Sequence, residues 1–427
     1  MNTASTLVLR VTAIVALASP LHGQNPSPAP GALPSFEQAL REARTGIGFE
    51  KTGFTGSGAP VLQKAIAESR FVLIGEDHFT REIPRFATAV CDLMATQGLF
   101  ALATEASPQA ANFVGATLEA PDRTAQLTAL LKKYPDSVAF LNSVPENELA
   151  THAAQATKAA GGAGFQLWGL DQEFLGSAGW LLDQILATHP GPAATAALTR
   201  LQTEEQKDAA LAREDGDPSK LLLFSANDTA LTEIDTLLQR EGSPAANELF
   251  RALLESREIY LKDAQGSSDA NAQRARLLKR NFRQRLEAAT AAGQTGKVLV
   301  KLGDWHVYKG FNPLRQRDLG NYIAERADEE GSGSLHICVL GAKGTHRLYG
   351  GYARPLRTEP FVMTDDSEYR WLKPAVDNQL AESWTLYDLR RLRSRKLGPV
   401  DPAMSRLIEG CDLLVVIPEL TPADPIE

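Results

Sequence analysis

The sequence predicts an α/β protein of three layers, a largely parallel central sheet flanked by helices, with a helical insertion between strands. Three observations predict it. Six short apolar runs of strand length recur along the 427 residues, several closed by glycine or a carboxylate. The segments between them carry apolar residues at helical spacing, and strand, amphipathic helix, strand is the signature of a parallel sheet covered on both faces. The composition, 43% hydrophobic and 22% charged, is that of a globular chain long enough for one large domain.

Residues 1–23 read as a signal peptide. Arg10 is the only basic residue before an apolar run, Val11 to Ala18, too short to span a bilayer, and small residues follow where a signal peptidase cuts. A periplasmic or secreted location is therefore expected. Residues 24–34 form a Pro-rich linker, and 35–427 the α/β domain. The six runs are Phe71–Gly75, Phe100–Thr104, Phe165–Gly169, Lys297–Gly303, Leu335–Gly341 and Asp412–Ile417. After the first run, Ile83, Phe86, Ala87, Val90, Leu93 and Met94 recur at helical spacing, with Pro84 in the first turn, where a missing N–H costs nothing. From about 193 to 295 the chain turns charged and rich in Ala, Leu, Arg and Glu, which predicts the helical insertion. Gly53 to Gly58 and Gly331 to Ser334 precede strands instead of following them, so they read as turns, not dinucleotide loops. Cys91, Cys338 and Cys411 each lie in an apolar stretch and read as buried small hydrophobes. No later segment has the length and apolarity of a transmembrane span.

A net charge of -8, spread along the chain, argues against a nucleic-acid partner, which needs a basic face. A small-molecule substrate fits better, because polar residues gather at the ends of the runs. The first ends in Gly75, Glu76, Asp77 and His78, and the second in Thr104 and Glu105. The third ends in Gly169, Asp171 and Glu173, and the fourth in Gly303, Asp304 and His306. In a parallel sheet these ends converge on one edge, where ligands bind. Singly, Glu76, Asp77 or Glu105 could cap the helix that follows, and Asp304 could be a turn residue. Together they predict a site around His78 and His306.

The stretch Phe71 to Glu82, with Gly75-Glu76-Asp77-His78, resembles the opening motif of erythromycin esterase-like proteins, Gly-Glu-x-x-His-Gly-x-x-Glu. Glu105, Asp171, the Arg274 to Phe282 segment with Arg274 and Asn281, the Gly303 to His306 turn and the closing Asp412 to Glu419 stretch resemble further parts of that family, in the same order. The first motif is one residue shorter, closer to the Gly-x-x-His of ChaN-type haem-binding and TIKI/TraB-type proteins. Leu278 and Ala275 replace the family's usual Met and acidic residue.

The resemblance implies an exported, esterase-like hydrolase. His78 is then the general base, Glu76 or Glu105 orients or charges it, and His306 is a second acid/base or a substrate donor. Arg81 and Arg274 become oxyanion or carboxylate partners, with Asp171, Glu173 and Asn281 among the substrate-binding residues. The absence of a Gly-x-Ser-x-Gly elbow disfavours a serine nucleophile. The cofactor is left open: none, a divalent metal on His78, Glu105 and His306, or a haem with Tyr308 and Trp305 beside His306.

Overall fold

A computed structural model describes residues 33–50, 53–162 and 164–426. The signal-peptide reading and nearly all of the linker lie outside these residues. Among the described residues eleven strands are present: β1 (Arg44–Glu50), β2 (Gly53–Thr55), β3 (Phe71–Glu76), β4 (Leu99–Thr104), β5 (Gln166–Gly169), β6 (Lys297–Gly303), β7 (Ser334–Gly341), β8 (Lys343–Leu348), β9 (Arg357–Val362), β10 (Trp384–Asp388) and β11 (Leu413–Ile417). Nine form one sheet in the order β2-β1-β10-β11-β7-β3-β6-β4-β5, and β8 and β9 make a separate hairpin.

The six apolar runs are the six parallel strands β11, β7, β3, β6, β4 and β5. Their continuous apolarity has a physical cause: both faces are covered, so no position can be polar without a partner. Along β3, Phe71 and Leu73 enter one core layer while Val72 and Ile74 enter the other. Val298, Val300 and Leu302 of β6 join the first layer, and Leu299 joins the second. The three remaining strands, β10, β1 and β2, add antiparallel to one side. Gly53 to Thr55, expected as part of a turn, pairs as β2 with Gly48 to Glu50.

The helix Glu82–Ala95 carries the expected apolar face, with Ile83, Phe86, Val90 and Met94 buried. Between β5 and β6 the described chain is almost wholly helical. Its longer helices are Pro192–Asp215, Asp228–Glu241, Pro244–Ala264 and Asp269–Ala291, and the first three share a core with Ala178–Ala187 around Leu182, Leu198, Leu238 and Phe250. Polar side chains begin two of them: Asn227 Oδ1 accepts from the N–H groups of Thr229 and Ala230, and Ser243 Oγ from that of Ala246. The last, Asp269–Ala291, returns to the sheet and packs Leu278, Phe282, Leu286 and Ala289 against it. Phe282 sets its edge on Trp168 of β5 and on Phe71 of β3. Arg274 lies one helical turn before Leu278, which brings it to the carboxyl ends of the strands.

The C-terminal residues Thr421 to Ile426 close that edge. Arg81 N–H donates to Thr421 C=O and Ala423 N–H to Phe79 C=O. Val144 N–H donates to Asp424 C=O and Ile426 N–H to Asn142 C=O. One segment thus ties together the loop after β3 and the loop before the helix Val144–Ala159. Among the described residues no helix is long and apolar enough to cross a membrane.

Candidate active site

Strands β3, β6, β4 and β5 are consecutive neighbours, so the residues that follow them are neighbours too. His78 follows β3, His306 lies in the 3-10 turn Asp304–Val307 after β6, Glu105 follows β4 and Asp171 follows β5. Two glycines permit the close approach. A Cβ on Gly303 would lie 3.0 Å from His78 Nε2 and 3.3 Å from Glu105 Oε2. A Cβ on Gly75 would meet Val307 and the Asp304 backbone at 2.5 and 2.8 Å, so only glycine lets the 3-10 turn settle onto β3.

Glu105 is the centre. It does not cap the helix Pro108–Thr117; Ser107 does that, its Oγ accepting from Ala110 N–H at 3.1 Å. Glu105 Oε1 accepts from Arg274 Nη2 at 2.6 Å, and Oε2 accepts from Gly303 N–H. His78 Nε2 stands 3.5 Å from Oε2 and His306 Nε2 stands 3.6 Å from Oε1. Each histidine has a second carboxylate on its other nitrogen: Glu76 Oε1 at 3.0 Å from His78 Nδ1, and Asp318 Oδ2 at 2.9 Å from His306 Nδ1. The site is therefore two carboxylate–imidazole arms that meet at one shared glutamate. Asp171 binds Arg274 from behind, with Arg274 Nε at 3.0 and 3.2 Å from its two oxygens.

Burial works against charge on Glu76, His78, Glu105, Arg274 and His306, and their partners overturn it. Glu105 and Glu76 outweigh burial and raise the His78 pKa to about 10. His306 is also raised, by Glu105 and Asp318 against burial. Glu105 is held well below the carboxylate range, since His78, His306 and Arg274 together exceed its burial cost. Asp304, expected only as a turn residue, is buried beneath the site. Burial pushes it up to about 7, and one oxygen accepts from the Tyr369 hydroxyl at 3.1 Å.

A second ring fixes the His78 imidazole. Phe140 stacks on it, centroids 4.0 Å apart and planes 19° off parallel, and Phe79 packs against Phe140 at 5.4 Å. Phe79 and Phe140 both have positive φ, 60° and 58°, a backbone state that bulky residues adopt only when held there. The tail segment described above is what holds both loops.

The other expected residues are placed as follows. Asn281 donates from Nδ2 to Leu170 C=O at 2.8 Å and so anchors the loop after β5. Glu173 is buried beside a cleft of about 430 Å³ that Asp171, Asn281, Arg280, Glu255 and Arg251 also line. Burial raises its carboxyl to about 7. Arg81 is not brought to the cluster: its guanidinium turns outward and pairs with Asp424. Asp77 faces His346 at 3.7 Å and caps no helix. Tyr308 is buried in the core at 1% exposure, so its hydroxyl is not presented to a haem. Among the described residues no group of three or more His, Cys, Asp or Glu side chains is arranged to hold a metal ion, and the cation beside Glu105 is a guanidinium.

Three polar side chains at the site escaped the sequence reading. Asp318 caps the helix Leu319–Glu329 through Leu319 N–H while holding His306. Lys301 and Glu146 form a buried pair under Glu76. Only Asp318 carried a sequence signal, a polar residue heading an apolar-periodic helix.

No family model matches the sequence, and no curated protein matches it. Solved structures do resemble the fold. A succinoglycan biosynthesis protein superposes with a TM-score of 0.58 at 13% identity, over 92% of this chain and 98% of its own. A Bacillus cereus protein gives 0.52 at 14% identity, over 91% and 98%. A mutant of the erythromycin esterase EreC in its open conformation gives 0.59 at 14% identity, over 86% and 95%. The chain is thus an α/β protein of erythromycin esterase-like fold. At these identities the likeness concerns the fold alone; of the resemblances read from the sequence, it supports this one.

Proposed function

We propose that this chain is an exported hydrolase that cleaves an ester or related bond of a small molecule by histidine-activated water. The observation that carries the reading is Glu105 set between the Nε2 atoms of His78 and His306 and under Arg274. This edge gathers a base, its orienting carboxylates and cationic donors at one point. Neutral His78 takes a proton from water at Nε2 while Glu76 keeps Nδ1–H in place. The hydroxide attacks the carbonyl carbon, and the carbonyl oxygen becomes an oxyanion facing Arg274 or His306. When the C–O bond breaks, the leaving alkoxide takes back the proton from His78. Glu105, fully ionised, stabilises the imidazolium between the two transfers. The fold likeness to an erythromycin esterase supports hydrolysis as the reaction class, and residues 1–23 support export.

The test is hydrolysis of a panel of p-nitrophenyl esters by the purified mature protein, with and without chelator. Turnover indifferent to chelator, and reduced about 100-fold or more in His78→Gln and in Glu105→Gln, is expected. Chelator-sensitive turnover would replace the scheme with a metal-dependent one, and no turnover across the panel would remove the ester reading.

A further inference from the structure

Lys301 is the one basic side chain in the parallel core of β6, flanked by Val300 and Leu302 and 2% exposed. A strand buried on both faces has no place for a free ammonium, because removing it from water costs several kcal/mol unless partners restore what is lost. Its partners are two carboxylates from opposite directions. Glu76 ends β3, paired in register with β6, and its Oε1 contacts Lys301 Nζ. Glu146 comes down from the first turn of the helix Val144–Ala159, with Oε1 at 2.5 Å. The same Oε1 of Glu76 faces His78 Nδ1, while its Oε2 makes no hydrogen bond. One oxygen therefore receives both the ammonium and the imidazole.

We propose that Lys301 is a positioning residue: through Glu76 it fixes the ring and tautomer of His78, with Nδ1–H inward and Nε2 directed at Glu105. Two carboxylates compete for one lysine. Glu76 and Glu146 lie against a single ammonium in a dry layer, and without it the two could not both stay ionised. Glu76 would then be a proton donor as readily as an acceptor, and Nδ1 could face it in either form. With Lys301 present, Glu76 is held below its ordinary range while Glu146 is raised to about 7. The lysine assigns the charge to the carboxylate that touches the histidine. It never reaches the reacting atoms, so its effect passes wholly through Glu76. This inference rests on the hydrolytic reading only for what His78 does, not for how His78 is held.

The experiment is ¹⁵N NMR of the imidazoles in histidine-labelled full-length protein, with His78 assigned by its loss in His78→Gln. In Lys301→Met, His78 should titrate at least one pH unit lower, and above its pKa its signals should show a mixture of tautomers, while His306 stays in place. Ester turnover, where present, should fall tenfold or more in kcat at unchanged KM. Should the single variant fail to fold, Lys301→Gln removes the charge but keeps an amide donor between Glu76 and Glu146; the same change in His78 is expected. A folded variant of either kind with wild-type His78 signals overturns the proposal, whatever the turnover. Absence of turnover with His78 signals shifted as expected would sink the esterase reading and leave this one standing.

Discussion

His78, His306 and His336 lie within a few strands of one another, and their surroundings settle their protons in opposite ways. His336 lies in β7 with Nδ1 against the Val307 carbonyl; burial, with Lys309 nearby, drives its pKa down to about 3, so it stays neutral. His78 is less deeply buried and faces two carboxylates, and they carry it to about 10. At neutral pH His78 holds its proton, and its base form grows only as pH rises. Ester hydrolysis should therefore climb from pH 7 toward about 10, and a profile of kcat/KM already flat at pH 7 would show that another group is the base. Glu173 gives a second pH effect, on stability. Its folded pKa, about 7, lies above its ordinary 4.5, so between these values the native state holds a proton that the unfolded chain has lost. Its contribution to stability is thus lost as pH rises through that window, by on the order of 3 kcal/mol at most. Glu173→Gln should raise the melting temperature at pH 8 and change it little at pH 4.5.

The elements differ in how plainly the chain announces them, and the reason is burial. The six parallel strands are covered on both faces and read as unbroken apolar runs. β1 mixes Arg, Thr and Gly with apolar residues, β10 carries Thr and Asp, β8 and β9 are only partly covered, and none of them makes such a run. The same logic divides the site. Glu76, His78, Glu105, Asp171 and His306 could be found because they follow buried strands, where a polar residue stands out. Lys301 could not, since a charge inside a strand reads as an exposed position. Glu146 was hidden too, because an acid in a helix's first turn already has a use there. Arg81 was misleading in the opposite sense: it sits in the right loop and points the wrong way. The loops also store strain, with Phe79 and Phe140 at positive φ. Phe140→Gly relieves one strained residue and removes the ring stacked on His78. It should leave the melting temperature within a few degrees of wild type and lower kcat about tenfold.

Taken together, the fold builds its chemistry from strands that are adjacent in the sheet but distant in sequence: His78 and His306 are joined by β3 and β6, with β4 and β5 between them in the chain. The helix Asp269–Ala291, returning from the long insertion, supplies Arg274, so the site exists only when the sheet and the insertion are both in place. The tail adds a last requirement. A chain ending at Leu420 keeps all eleven strands and should retain its far-UV circular dichroism. It should still lose most of its ester turnover, because Phe79 and Phe140 are no longer tied.

That dependence has a temporal side. Strands, histidines and the shared glutamate are all synthesised before residue 421, yet the roof over His78 waits for the six residues that follow. A chain cut before residue 421 would thus be folded and idle. Any change within residues 421–426 therefore acts on the part of the protein that decides whether it works.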